Sequence, residues 1–331
     1  MNEPPPGRSC PLHYRYSPQV FATPAPADLR HLDTLYVVGG LYGNELALNR
    51  VLDLFAQETG QKRLVFNGDF HWFDADPALF DRLQRAVLGH VALRGNVETE
   101  LATDNTNSRD AGTDTDAGCG CAYPDWVGDD VVLRSNRILA RLRQAVTPAQ
   151  RTALAALPMW LRADVGPLRL GIVHGDAQSL AGWGFAQEHL RSATHRSQVQ
   201  GWFQQAQVDA FACTHTCLPV FQALGHAPGA RQWVFNNGAT GMPNFSGDTA
   251  GLLTRISRTP APESLRRFGV RVDTAGEAIF VDALAVQTDP HQALQRFVQL
   301  WPPGSDAHAS YFNRIQAGPA YSVAEVVRSE G

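Results

Sequence analysis

Short apolar runs of β-forming residues alternate with helical patterns in the first hundred positions, and each run stops at a glycine beside a polar side chain. Thr34-Leu35-Tyr36-Val37-Val38 breaks at Gly39-Gly40 and gives way to Leu46, Leu48, Val51, Leu52, Leu54 and Phe55 at helical spacing. The run 63–66 leads through Asn67-Gly68-Asp69 to a helix over about 77–88. Val91-Ala92-Leu93 ends at Arg94-Gly95-Asn96-Val97-Glu98. Buried strands alternating with helices predict the α/β class. The second half is strand-rich: 160–162 and 168–173 read as a hairpin, and 209–213, 220–223, 232–235, 252–256 and 278–281 as further strands. A helix over about 187–206 sits among them.

The segments between these elements set the organisation. Pro4-Pro5-Pro6, Pro24 and Pro26 predict a flexible N-terminal arm over 1–30. Residues 99–118 carry almost no large apolar side chains, so burial cannot order them. They open an insertion at about 99–147 that contains Cys119-Gly120-Cys121 and a helix through Val131, Leu133, Ile138, Leu139 and Leu142. The main domain spans 31–290, and a C-terminal extension over 291–331, one helix followed by a Pro/Gly-punctuated segment, packs on it.

Composition excludes several partners. The 331 residues carry 28 Lys+Arg against 32 Asp+Glu, a formal charge of −4, the opposite of a domain that neutralises phosphates along nucleic acid. No run of about 18 apolar residues suits a membrane span. The start shows no charged-then-apolar leader, and five cysteines, an odd count, suit a reducing compartment. The expectation is a cytoplasmic chain that acts on a small molecule.

Four strands end at polar residues: Asp69, Asn96, His174 in Val173-His174-Gly175-Asp176, and His215 in Thr214-His215-Thr216. Strand carboxyl ends of an open α/β sheet converge on one crevice. One carboxylate, one amide oxygen and two imidazoles suit a divalent ion such as Mn, Fe or Zn. Turn residues satisfied by backbone are the competing reading of each one taken alone.

In order and spacing these motifs resemble the calcineurin-like metallophosphoesterases, and within them the small bacterial and archaeal phosphodiesterase branch. The resemblance is carried by Gly40-Leu41-Tyr42-Gly43-Asn44, Gly68-Asp69, Gly95-Asn96-Val97-Glu98, His174-Gly175, Thr214-His215-Thr216-Cys217 and Asn236-Asn237-Gly238-Ala239. It spans about residues 34–240. It implies a four-layer αββα sandwich and a two-metal site bridged by Asp69, with Asn44 orienting the phosphate.

The departures fall on one half of that site. The family's first Asp and His correspond to Gly40 and Tyr42, and its final His to Cys217. The other half keeps Asp69, Asn96, His174 and His215. Three readings of the altered half stand open. The chain uses one metal, with the Tyr42 phenol in a former ligand position; or Cys217, Cys119, Cys121 and Asp69 rebuild a second site with sulfur; or Asp306-Ala307-His308 returns from the tail to supply the missing pair. His71 and Asp74, on the loop after Asp69, could replace the missing acid or lie idle at the surface. Arg94 could pair with a phosphate or form a rim salt bridge. Trp72, Phe73, Trp183 and Phe185 could wall a pocket or belong to the core.

The expected function is a metal-dependent phosphoester hydrolase, a phosphodiesterase or phosphatase working through a metal-bound hydroxide. The alternative is a catalytically retired fold serving as a binding or scaffold protein. A nucleotide-cofactor oxidoreductase is a third class, because Val38-Gly39-Gly40-Leu41-Tyr42-Gly43 partly imitates the dinucleotide fingerprint; Val38 stands where the first glycine belongs.

Overall fold

Alternate side chains of a strand point to opposite faces, and the apolar runs use both faces. The computed structural model describes residues 7–8, 10–103, 118–225 and 231–329. In chain order the first half holds β1 (Leu29–Leu32), β2 (Thr34–Val38), α1 (Glu45–Ala56), β3 (Lys62–Asn67), α2 (Pro77–Leu88), β4 (Val91–Leu93), α3 (Asn96–Ala102), α4 (Asp129–Leu142) and α5 (Pro148–Ala155). Then come β5 (Trp160–Val165), β6 (Leu168–Val173), α6 (Ala193–Ala206), β7 (Ala210–Cys213), β8 (Val220–Leu224), β9 (Gln232–Asn236) and β10 (Gly251–Ser257). β11 (Arg266–Thr274), β12 (Glu277–Val286), α7 (Pro290–Leu300), α8 (Asp306–Ala317) and β13 (Val327–Arg328) complete the chain.

One sheet runs β11-β12-β10-β2-β3-β4 and the other β1-β5-β6-β7-β9-β8-β13. Leu35 and Val37 of β2, with Val65, Leu252, Ile256 and Val281, pack against Leu170, Ile172, Ala210, Phe221 and Phe235 of the facing sheet. Tyr36, Val38, Leu64 and Phe66 point the other way, onto Leu48 and Val51 of α1 and Phe80, Leu83 and Val87 of α2. On the far side Val173, Phe211, Val220 and Val234 meet Val199, Trp202 and Phe203 of α6. The layers are therefore helix, sheet, sheet, helix, the four-layer αββα sandwich that the resemblance implies. No helix among the described residues is long and apolar enough to cross a membrane.

Several elements differ from the sequence reading, each for a local reason. Residues 10–30 are not a loose arm: two 3₁₀ turns and β1 lie there, and Tyr14 and Phe21 are buried. Aromatic side chains among the prolines give this segment apolar area to bury. α3 covers the start of the polar stretch, anchored by buried Val97 and Leu101; residues 104–117 lie outside the described residues. α5 begins at the capping box of Thr147 and Gln150 with Pro148 in its first turn, a start signal present in the sequence. β11 is charge-rich and joins β12 through Ala275-Gly276, both at positive φ, a tight hairpin turn. The tail holds two helices, since Ser305 caps α8 after Pro302-Pro303-Gly304 stops α7.

β3, β4, β6 and β7 bring Asp69, Asn96, His174 and His215 to one rim. β2, β3 and β4 run parallel in one sheet, as do β6 and β7 in the other.

Candidate metal centre

The turn after β3 is tight because another strand end presses on it. Gly68 lies at φ +78°, and a Cβ there would stand 2.5 Å from His174 Nδ1 and from the Gly95 nitrogen. Only glycine admits that approach. Asp69 follows at φ +54°, His215 takes φ +28° and Cys217 φ +62°. Side chains in this region are strained and persist only where surrounding contacts hold them, as at functional sites.

Glu98 supplies much of that hold. Its buried carboxylate accepts from the backbone N–H groups of Asp69 at 2.7 Å, Phe70 at 3.0 Å, His71 at 3.3 Å and Gly95 at 2.9 Å. Burial and the nearby Asp69 charge push the Glu98 pKa up. Glu98 was not among the expected site residues. Its signal was a Glu at the third position of α3, the reciprocal half of an N-terminal cap.

Four donors converge on one point. His174 Nε2 lies 3.2 Å from Asn96 Oδ1, 3.2 Å from His215 Nδ1 and 3.3 Å from Asp69 Oδ1. An ion roughly 2.0–2.2 Å from each donor sets neighbouring donors about 3.0–3.5 Å apart, so the spacing fits a single cation. Among the described residues, Asp69, His174 and His215 form the group of acidic, imidazole and thiol side chains whose ligand atoms lie within 4.8 Å of one another.

Hydrogen bonds on the far side of each ring fix which nitrogen carries the proton. His174 Nδ1 donates to the Asn67 carbonyl at 2.8 Å, and His215 Nε2 to the Cys121 carbonyl at 3.1 Å. A carbonyl only accepts, so when both rings are neutral the lone pairs of His174 Nε2 and His215 Nδ1 face each other. Two lone pairs at that distance repel unless a proton on His174, which Asp69 favours, or a metal ion lies between them. Burial opposes a charge on His174, but Asp69 beside it raises its pKa. Burial and then His174 push His215 down to about 4. Burial also works against the Asp69 charge, yet His174 and then His215 hold this carboxyl below its usual range.

The positions that the resemblance assigns to a second ion are filled by side chains. Tyr42 Oη sits 2.8 Å from Cys217 Sγ. The Tyr42 ring lies over Gly40, where a Cβ would stand 2.8 Å from Cζ. Burial, and then the Cys217 thiol, push the Tyr42 pKa well above the usual phenol value, so the hydroxyl stays protonated. Arg314 of α8 donates to the Cys217 carbonyl at 2.6 Å and to the Pro243 carbonyl at 3.2 Å. Gly40, Tyr42 and Cys217 are thus one packed unit.

The remaining expected site residues lie elsewhere. Cys217 is engaged by Tyr42, whereas Cys121 Sγ lies against Asn96 Nδ2 at 3.5 Å and Cys119 Sγ is turned toward Gly7 and α4. The three thiols do not assemble with Asp69 around a second ion. His71 is neither a rim acid nor a surface residue: it is fully buried, stacked on Phe80 at 3.7 Å, with Nδ1 2.5 Å from Asp74 Oδ2. Two polar groups that pair can enter a core, here with His71 Nε2 and Asp74 Oδ1 left unpartnered, a pairing that single-residue reading misses. Asn44 caps α1, accepting from the Ala47 N–H and donating to the Gly241 carbonyl, so its amide is committed to backbone. It borders a cavity of about 320 Å³ with Tyr42, Phe73, Thr240, Arg296 and Phe297. Arg94 donates to the Ala155 carbonyl at 3.3 Å, at the end of α5. Asp306 pairs with Arg137 and His308 stacks on Phe312, both away from the four donors. Trp183 stands edge-on to His215 at 5.6 Å, while Phe185, Trp72 and Phe73 are buried in the core.

No protein-family model and no curated protein matches the sequence. Solved structures do. A metallophosphoesterase from Sphaerobacter thermophilus superposes with a TM-score of 0.54 at 14% identity, over 86% of this chain and 100% of that one. A hypothetical protein from Pyrococcus horikoshii gives 0.54 at 13% identity, over 87% and 99%. In fold, this chain is similar to a metallophosphoesterase.

Proposed function

We propose that this chain is a metal-dependent phosphoester hydrolase that works with one divalent ion, held by Asp69, Asn96, His174 and His215. The observation that carries the reading is the convergence of His174 Nε2, His215 Nδ1, Asp69 Oδ1 and Asn96 Oδ1 at ion spacing. A divalent ion bound there polarises a phosphoryl oxygen and lowers the pKa of water. With one carboxylate against two charges, the loaded site is net positive and attracts a phosphate. Glu98 keeps the Asp69 turn in its strained conformation, and Asn67 keeps the His174 lone pair aimed inward. The Tyr42 hydroxyl, held neutral beside Cys217, serves as a donor where a second ion would stand. Small phosphodiesters are the proposed substrates, and the cytoplasm the proposed compartment.

The test is elemental analysis of the full chain, followed by turnover on a panel of phosphomonoesters and phosphodiesters. One equivalent of metal and a hydrolysis that disappears in His174→Ala are expected. The packed Tyr42–Cys217 unit favours one competitor, a binding or scaffold protein on a retired fold. Bound metal without turnover on any phosphoester decides for that competitor.

A further inference from the structure

The CxC loop of the insertion attracts attention for its sulfur, yet its shorter contacts to the metal centre, beside Cys121 Sγ at 3.5 Å from Asn96 Nδ2, are made by oxygen. Asn96 Nδ2 donates to the Cys119 carbonyl at 2.9 Å, and His215 Nε2 to the Cys121 carbonyl at 3.1 Å. An amide can bind with either end, and an imidazole with either nitrogen. These two carbonyls remove the choice: each takes an N–H, which leaves Asn96 Oδ1 and His215 Nδ1 facing the ion position. His174 is set the same way, but by a core strand through Asn67.

We infer that loop 118–123 is a positioning element of the metal centre, acting through the main-chain carbonyls of Cys119 and Cys121 rather than through their thiols. The backbone is built for this. Gly118, Gly120 and Ala122 alternate at φ +57°, +65° and +47°, and the two intervening carbonyls reach the two ligands. The loop is pinned on three sides: the Cys119 N–H donates to Asn136 Oδ1 at 2.9 Å, Trp183 Nε1 shares the Cys121 carbonyl at 2.9 Å, and the Tyr123 N–H donates to the Gly7 carbonyl at 2.9 Å. Tyr14 closes the fourth side, held by its bond to Glu100 at 2.6 Å. A Cβ on Gly120 would stand 2.2 Å from the Tyr14 hydroxyl, so no side chain fits there without moving the loop. The N-terminal segment and the insertion therefore reach the ion through two ligands that neither of them carries.

This inference rests on the metal-centre reading, and its readouts do not require turnover. The full chain is titrated with Co²⁺ alone, and the histidine side chains of the Zn²⁺-loaded chain are examined by ¹H–¹⁵N correlation NMR. Gly120→Val is expected to weaken Co²⁺ binding by about 10–100-fold, the usual scale for a lost ligand-orienting partner, and to shift the cobalt d–d spectrum. Cys119→Ser and Cys121→Ser are expected to bind within about threefold of the unmodified chain, well below that range, with no sulfur-to-cobalt charge-transfer band in any of them. His215 is expected with its proton on Nε2, a result that needs no variant to fold. A charge-transfer band that Cys121→Ser abolishes overturns the inference in favour of sulfur ligation. A proton on His215 Nδ1, or a folded Gly120→Val that binds as tightly as the unmodified chain, overturns it as well. An unmodified chain that binds neither ion overturns the proposed function along with it.

Discussion

Gly40→Ala tests whether the Tyr42 ring fills the space over Gly40, as the one-ion proposal requires. Two costs attach to the new methyl. Position 40 lies at φ +64°, where a side chain meets the following carbonyl, worth about 1–2 kcal/mol. The methyl would also stand 2.8 Å from Tyr42 Cζ and 2.9 Å from Cε2 and Oη, against roughly 3.5–4.0 Å for carbons in contact. Overpacking of this kind costs about 1–3 kcal/mol. The single variant should lose about 2–5 kcal/mol as the sum of these terms. Tyr42→Leu removes Cζ, Cε2 and Oη but keeps apolar bulk beside Phe73, so in that background only the backbone term remains. Urea unfolding of the four chains of the cycle, followed by circular dichroism, should give a coupling of about 1–3 kcal/mol. Equal losses in both backgrounds, within about 0.5 kcal/mol, would show that the ring does not occupy this place and that the half-site is open to an ion.

Three further outcomes follow from the same contacts. Glu98→Gln puts an amide where one carboxylate oxygen accepts the Asp69 and Gly95 N–H groups; Zn²⁺ affinity should fall by about 10–100-fold by isothermal titration, and unchanged affinity would remove Glu98 from the site. Chelation should destabilise the chain by about 2.7 kcal/mol relative to the chain at an ion concentration one hundred times its Kd, read as a lowered Tm in a thermal scan; a Tm insensitive to chelator counts against any resident ion. Glu58 accepts from Arg255 Nε at 2.5 Å and from the Tyr36 hydroxyl at 2.8 Å. Burial raises its pKa, but these two partners outweigh it and leave the carboxyl below its usual value. A depressed acid stabilises the fold above its unfolded pKa and stops doing so as the pH drops through the folded one. Glu58→Gln should therefore cost about 1.5–3 kcal/mol at neutral pH, with the difference shrinking below pH 4.5 in urea unfolding; a difference constant with pH would refute the assignment.

The strands that carry the four donors were legible because burial on both faces leaves continuous apolar runs, and because a strand end pressed against another requires glycine, as Gly68 and Gly95 show. β11 was not legible: its pattern of exposed Arg and Asp side chains hides a strand at a sheet edge. α8 was hidden by the Pro302-Pro303-Gly304 break, and with it Arg314, whose contact to Cys217 spans 97 positions. His71 was misplaced because its partner Asp74 and its stacking ring Phe80 make a polar residue compatible with the core. Backbone groups also engage Asn44, whose expected role came from the resemblance, and one nitrogen of Arg94, contacts that no motif announces.

The contributions of loop 118–123 belong to a different class of hidden information. A main-chain carbonyl has no residue identity, so no motif can announce that Cys119 and Cys121 present oxygen to Asn96 and His215. Their thiols suggest ligation, and the geometry assigns them none. The same logic bears on the proposal that Gly40, Tyr42 and Cys217 replace a second ion. If Gly40, Tyr42 and Cys217 were unrelated losses, they would leave a void or unpaired polar atoms. Instead the missing side chain at position 40 is the space the Tyr42 ring occupies, and the Tyr42 hydroxyl finds the Cys217 sulfur. Three side chains that satisfy one another, beside four donors that stay at ion spacing, are the packing that the one-ion proposal requires.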